Sequence, residues 1–205
     1  MQTHNGHLAT GIFGTKMMYD VLREYGRNDL AYTIVNQKDF PGYGYMIENG
    51  ATTLWEHWKF DENTYSHNHP MFGSVSEWFY KGLGGIYAAD NAVGFDKIII
   101  RPDPVEDLKW VHCSYQSVRG PVVSNWKRGD SSFEMEVEIP GGANALVHVP
   151  VKDPENAIIK ADGKFIFEQG KSVKGATLKW IRSEDHAVVF EVSSGHYHIT
   201  SSMRQ

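Results

Sequence analysis

The hydrophobic period changes near residue 95, and that change constrains the fold more than any other feature of the chain. Before it, apolar residues recur at helical spacing; after Gly94 they alternate. Phe13, Met17, Val21 and Tyr25 stand four apart with Met18 and Leu22 beside them, one stripe of an amphipathic helix. Gly26 suits the left-handed geometry that ends such a helix. Asn28 is placed to cap a second helix with Leu30, Ala31, Ile34 and Val35 as its apolar positions, and Pro41 closes it. Gly42-Tyr43-Gly44-Tyr45 reads as a loop. Thr52 or Thr53 is expected to cap a short helix carrying Leu54, Trp55 and Trp58. A polar loop over 61–66 follows. A last helix is expected from Pro70, which suits a first turn, to Ile86, with Val75, Trp78, Phe79 and Ile86 inward.

Beyond Gly94, Phe133, Met135, Val137 and Ile139 alternate with Ser132, Glu134, Glu136 and Glu138, a strand with one dry and one wet face. Ala145, Val147 and Val149 repeat the pattern. Asp162-Gly163 between two apolar runs predicts a type I′ hairpin. Residues 188–192 and 197–199 read as closing strands. About eight short strands punctuated by Gly, Pro and Asp predict an antiparallel sandwich. The expected division is therefore a helical part over 1–93 and a β-sandwich over 94–205, joined by a short connection at 90–94.

Composition narrows the function. In 205 residues with a formal net charge of -5, no basic footprint marks a nucleic-acid or anionic-membrane partner. No apolar run of about eighteen residues predicts a transmembrane helix. The first residues carry neither the basic nor the apolar region of a signal peptide, so they leave localisation undetermined. The single Cys113 permits no intrachain disulfide and reads as a small buried thiol. Nothing calls for a cofactor. His57, His67 and His69 lie close together, but their spacing matches no common zinc pattern. His196 and His198 share one strand face as a solvent-facing pair.

Gly50-Ala-Thr-Thr-Leu-Trp-Glu-His-Trp58 carries the chemistry. It sets Glu56 between two indoles, Trp55 and Trp58, and Asn68-His69-Pro70-Met71-Phe72-Gly73 follows. Aromatic faces cover the apolar faces of sugars, and polar groups fix their hydroxyls. A carboxylate beside an indole can also have its proton affinity raised by desolvation. The same spacing fits aromatic core packing beside an exposed carboxylate.

These residues, with Leu8 to Thr15, Gly44-Tyr45-Met46, Trp78-Phe79-Tyr80, Gly94 to Pro102, Ser114-Tyr115, Gly120 and Ser124-Asn125-Trp126, resemble the bacterial α-L-rhamnosidases of glycoside hydrolase family 78. The resemblance covers residues 7–150 well and the tail loosely. It implies an α+β multidomain fold: the C-terminal part of an (α/α)₆ helical barrel, then an antiparallel β-sandwich. It implies inverting hydrolysis of terminal α-L-rhamnose from an oligosaccharide or glycoside. Glu56 matches the general base, and His69 a histidine that holds the sugar hydroxyls. Trp55 would shape the pocket wall, a role no better supported than packing, and Tyr45 is a weaker candidate for sugar contact. The resemblance implies that the general acid lies in an upstream part of the barrel absent from these residues; of the nearby carboxylates, Asp61 and Glu62 read as loop surface and Glu77 as a solvated helix face, and none of them, Glu48 included, is chosen as the acid. His67-Asn68-His69-Pro70-Met71 departs from the family in lacking an aromatic after the histidine, which leaves the aglycone side of the pocket undefined.

A barrel cut in this way would leave apolar surface open to self-association. Two other readings are a carbohydrate-binding or accessory module and an interaction protein completing another chain's barrel. For the module, Trp110, Trp126 and Trp180 are the candidate platforms, although each sits among apolar neighbours that predict core packing.

Overall fold

A computed structural model describes residues 5–62, 66–105 and 107–203. It divides into two compact units, Met1–Phe79 and Tyr80–Gln205.

The first unit is helical: α1 (Ile12–Glu24), α2 (Asn28–Val35), α3 (Tyr43–Glu48), a 3-10 turn (Pro70–Gly73) and α4 (Ser74–Trp78). Gly26, with φ +65°, ends α1 as expected. The face that α1 buries is not the expected stripe, however. Phe13 is 71% exposed and Tyr25 78%, with Met17 and Val21 also open, while Thr15 and Tyr19 are buried. Tyr19 stacks on Trp78 with ring centroids 5.6 Å apart. The Trp78 indole donates to Asn28 Oδ1 at 2.7 Å, so buried Asn28 is an interior acceptor rather than a helix cap. Burial also pushes the Tyr19 phenol far above its ordinary pKa.

Other differences follow from local hydrogen bonding. Tyr43 and Tyr45 lie in α3 rather than in a loop. Residues 51–60 form no helix, because the Leu54 carbonyl and Glu56 amide bond to residues 66–69 instead of to their own next turn. Residues 63–65 of the expected polar loop lie outside the described residues. The last helix tightens at its start and widens at its end: a 3-10 turn precedes α4, and a π-turn (Phe79–Leu83) follows it. Ile86 belongs to a strand.

The second unit contains, among the described residues, thirteen strands: β1 (Ile86–Ala88), β2 (Lys97–Ile100), β3 (Trp110–Val111), β4 (Ser114–Ser117), β5 (Gly120–Arg128), β6 (Ser132–Ile139), β7 (Asn144–Pro150), β8 (Ala157–Ala161), β9 (Lys164–Glu168), β10 (Lys171–Ser172), β11 (Lys179–Glu184), β12 (Ala187–Val192) and β13 (Gly195–Met203). Five build one sheet in the order β1-β2-β7-β12-β11, and eight the other, in the order β10-β9-β8-β13-β6-β5-β3 with β4 also on β5. Pairing is antiparallel except between β2 and β7. The inner faces share one core: Ile98, Ile100, Val147, Val149, Val188 and Phe190 from the first sheet, and Phe133, Met135, Val137, Ile159, Ile166 and Ile199 from the second.

The alternation of β6 reads through directly, odd-numbered residues buried and even-numbered ones outward. Asp162 and Gly163 both have positive φ, +49° and +77°, between paired Ala161 and Lys164, as a type I′ turn requires. Trp126 is buried and donates to the Leu83 carbonyl at 2.8 Å, whereas Trp110 and Trp180 are exposed at 61% and 38%. Both sit on short or edge strands, where an apolar neighbourhood in sequence does not ensure burial. Cys113 is buried, which pushes its thiol pKa up to about 11.

His148 is buried on the outer side of the five-stranded sheet, with Nδ1 at 3.3 Å from Glu184 Oε2. Burial holds its pKa below 6.5 despite the attraction of Glu184, and the charges of Arg101 and Arg182 press it the same way. Burial alone would raise Glu184, but the Arg182 hydrogen bond and the charges of His148 and Arg101 bring it below the usual value.

Two outcomes follow. Trp78→Phe removes the indole donor from this buried hydrogen bond and should cost about 1–3 kcal/mol in chemical denaturation; an unchanged midpoint would contradict the buried bond. The unfolded chain protonates His148 near its ordinary 6.5, the folded chain only at lower pH, so the unfolded state holds more protons between the two and stability falls as pH drops through that window. The Glu184 contribution is lost lower, as pH falls below 4.5. His148→Gln should therefore flatten the decline in urea midpoint between pH 7.5 and 5.5, and equal slopes would refute the assignment.

Candidate active site

The Gly50–Trp58 segment and the turn before α4 form one paired loop. The Glu56 amide donates to the Ser66 carbonyl at 3.0 Å, and the His69 amide to the Leu54 carbonyl at 2.7 Å. The Thr53 hydroxyl donates to the His67 carbonyl, and the Asn68 amide to Ser66 Oγ at 3.1 Å. Thr53, expected as a helix cap, thus closes the loop instead. The pairing brings Glu56 and His69, thirteen positions apart in sequence, onto neighbouring stretches of backbone.

Beneath the loop lies an aromatic floor. Trp58 packs on Phe72 at 3.8 Å between ring centroids, and Tyr43 meets Trp58 edge-on at 5.0 Å. The Trp58 indole donates to the Thr10 carbonyl at 2.7 Å, and the Tyr43 hydroxyl to the Phe72 carbonyl at 2.9 Å. Burial raises the Tyr43 phenol well above its ordinary pKa, so it stays protonated and a donor. Trp58 and Phe72 were legible as parts of the motifs, but their contacts with each other, with Tyr43 and with Thr10 were not, because contacts across 14 to 48 positions leave no periodic trace.

The candidates fall into distinct environments. Glu56 is half-buried, and among the described residues its carboxylate has no hydrogen-bond or ion-pair partner. His69 is half-buried, and its Nδ1 accepts the Met71 amide at 3.3 Å. A neutral imidazole accepting at Nδ1 carries its proton on Nε2, which leaves that nitrogen as a donor. Trp55 is buried against Phe60, 5.1 Å away, and His67, 5.7 Å away. Phe60 and His67 stack nearly parallel, 7° apart. Tyr45 is half-buried on α3, edge-on to Phe40. Glu48, Asp61 and Glu62 are exposed, and Glu77 pairs with Lys16. His57 and His67 are exposed.

A carboxylate with its acceptor positions open can deprotonate a water, and an imidazole with a free N–H can hold a hydroxyl. Trp58 should anchor the loop. Trp58→Ala should raise amide exchange across 51–62 and 66–69 while leaving the β-sandwich strands protected; unchanged exchange in the loop would show that the aromatic floor does not hold it.

Comparison with known proteins now bears on this geometry. Residues 1–83 match the family described as bacterial alpha-L-rhamnosidase 6 hairpin glycosidase domain, and residues 85–164 the bacterial alpha-L-rhamnosidase C-terminal domain. An alpha-L-rhamnosidase of Streptomyces avermitilis is 31% identical over 98% of this chain and 18% of its own length. One from Formosa agariphila is 31% identical over 87% of this chain and 19% of its own. Among solved structures, the alpha-L-rhamnosidase from Dictyoglumus thermophilum superposes with a TM-score of 0.86 at 39% identity, covering 98% of this chain and 22% of that one. The Streptomyces avermitilis enzyme complexed with L-rhamnose gives 0.83 at 29% identity, over 97% and 18%. The chain thus spans about a fifth of the length of the relatives it matches.

Proposed function

This chain belongs to the bacterial α-L-rhamnosidases, and on that premise we propose that it is the part of a family 78 glycoside hydrolase that supplies the general base. Glu56 takes a proton from the water that attacks the anomeric carbon of a terminal α-L-rhamnose. The sugar departs with inverted configuration, as a carboxylic acid on the opposite side protonates the leaving oxygen. In such an enzyme the two carboxyl groups stand roughly 6.5 to 9.5 Å apart, which leaves room for the water. The acid comes from a stretch of the enzyme outside these 205 residues.

The observation that supports the reading is the paired loop, which brings Glu56 and His69 onto neighbouring stretches of backbone. With its proton on Nε2, His69 donates to a sugar oxygen and so fixes the ring against the base. Buried Trp55 stiffens the loop from behind and forms part of the pocket wall. Tyr45 contributes a sugar contact at the rim.

A larger helical body is part of the same proposal. The open stripe of Phe13, Met17, Val21 and Tyr25 along α1 is a helix-packing surface left exposed among the described residues. Further helices of the catalytic domain cover it in the full enzyme, and copies of the isolated chain self-associate through it.

The test is nitrophenol release from an aryl α-L-rhamnoside by the full-length enzyme. Glu56→Gln should lower kcat by about 10²- to 10⁴-fold while leaving rhamnose affinity largely intact; normal turnover would sink the assignment. His69→Ala should mainly weaken rhamnose binding, and an unchanged affinity would remove it from the site.

A further inference from the structure

The outer face of the eight-stranded sheet is built unlike an ordinary solvated surface. Strands β5, β6 and β13 pair so that Val123, Glu138 and His196 form one row across the sheet and Asn125, Glu136 and His198 the next. Residues directly opposite on such strands stand about 4.5–5.5 Å apart, a spacing comparable to the breadth of a sugar ring. The Asp162 turn closes one side by accepting the His198 amide at 3.0 Å. The result is a groove of about 460 Å³ lined by Asn125, Glu136, Glu138, Asp162, His196 and His198, among others.

Its polar groups are unequally engaged. In the third row Glu134 is committed, 2.8 Å from His198 Nε2 and 2.9 Å from Lys127 Nζ. That pair of contacts holds the Glu134 carboxyl below its usual pKa and fixes the His198 ring. Among the described residues Glu136 meets only the Asn125 amide, at the long distance of 3.5 Å, and Glu138 lies 3.7 Å from His196 Nε2. Asp162 uses Oδ1 on the His198 amide. Acceptors therefore remain open on Glu136, Glu138 and Asp162, with the Asn125 amide and the His196 imidazole as donors between them. On β3, Trp110 pairs opposite Lys127 and so shares this face, one row beyond Asn125, with its ring 61% exposed. His112 meets the ring edge-on at 5.2 Å.

We propose that this groove is a second saccharide site, in the β-sandwich, which binds a neutral sugar residue through the carboxylates and amide of its floor with Trp110 as a flanking platform. Three carboxylates hydrogen-bond the hydroxyls of a polyol but repel a uronate or sulfated sugar. Among the described residues no three ligand-type side chains are gathered closely enough to hold a metal ion. The choice of a sugar as occupant rests on the glycosidase reading; the geometry of the groove does not.

The test is a two-dimensional amide NMR titration of the full 205-residue chain with methyl α-L-rhamnopyranoside, carried out on His69→Ala to silence the loop site. The Trp110 indole and Asn125 side-chain resonances should shift and saturate with a Kd on the order of millimolar. Glu136→Ala and Trp110→Ala, both at exposed positions and checked by otherwise unchanged spectra, should each weaken binding about tenfold. Absence of shifts at these groups overturns the proposal, as does an affinity untouched by both substitutions. Displacement of the sugar by calcium chloride at the same resonances would make the groove a cation site and overturn it too. Normal turnover of Glu56→Gln in the full enzyme would sink the catalytic reading and leave this result standing.

Discussion

Everything proposed for the loop depends on two backbone hydrogen bonds, Glu56 to Ser66 and His69 to Leu54. They replace the helix that the 50–58 segment would otherwise form, and they settle where its backbone polar groups are satisfied. A helix would carry Glu56 on one turn and leave His69 free to be anywhere along a separate connection. The paired loop instead puts a carboxylate and an imidazole on adjacent chain segments, which acid–base work on a held sugar requires.

The aromatic residues beneath the loop keep it in place. Trp58, Tyr43 and Phe72 form a cluster, and each polar tip is anchored: the indole on Thr10, the phenol on the Phe72 carbonyl. Four separate stretches of chain, around Thr10, Tyr43, Trp58 and Phe72, are thereby tied together. The Glu56 carboxylate on this loop is half-buried and, among the described residues, unpaired, and open polar groups on a firmly held loop are the usual mark of function rather than stability.

How much was legible in the sequence varied with the range of the forces involved. The β-unit read well, because alternation in β6 and the Asp162-Gly163 turn are local patterns with a single structural solution. Glu56 and His69 were singled out through the resemblance carried by two short motifs, 50–58 and 68–73. The direction of α1 did not read: periodicity locates an apolar stripe but not what covers it, and Thr15 with Tyr19 took the inward place. The 50–58 helix failed because Thr53 and Leu54 spent their hydrogen bonds on residues 67 and 69, a choice made in tertiary structure. Trp110 and Trp180 failed in the other direction, exposed despite apolar neighbours, since burial on an edge strand depends on its partners.

The most direct measurement is a diffraction structure of the full-length enzyme containing this chain, with L-rhamnose bound. The account predicts Glu56 within hydrogen-bond reach of a water facing the anomeric carbon, and His69 Nε2 on a ring hydroxyl. Rhamnose seated in the catalytic domain with neither Glu56 nor His69 in contact with it or its water would contradict the central claim.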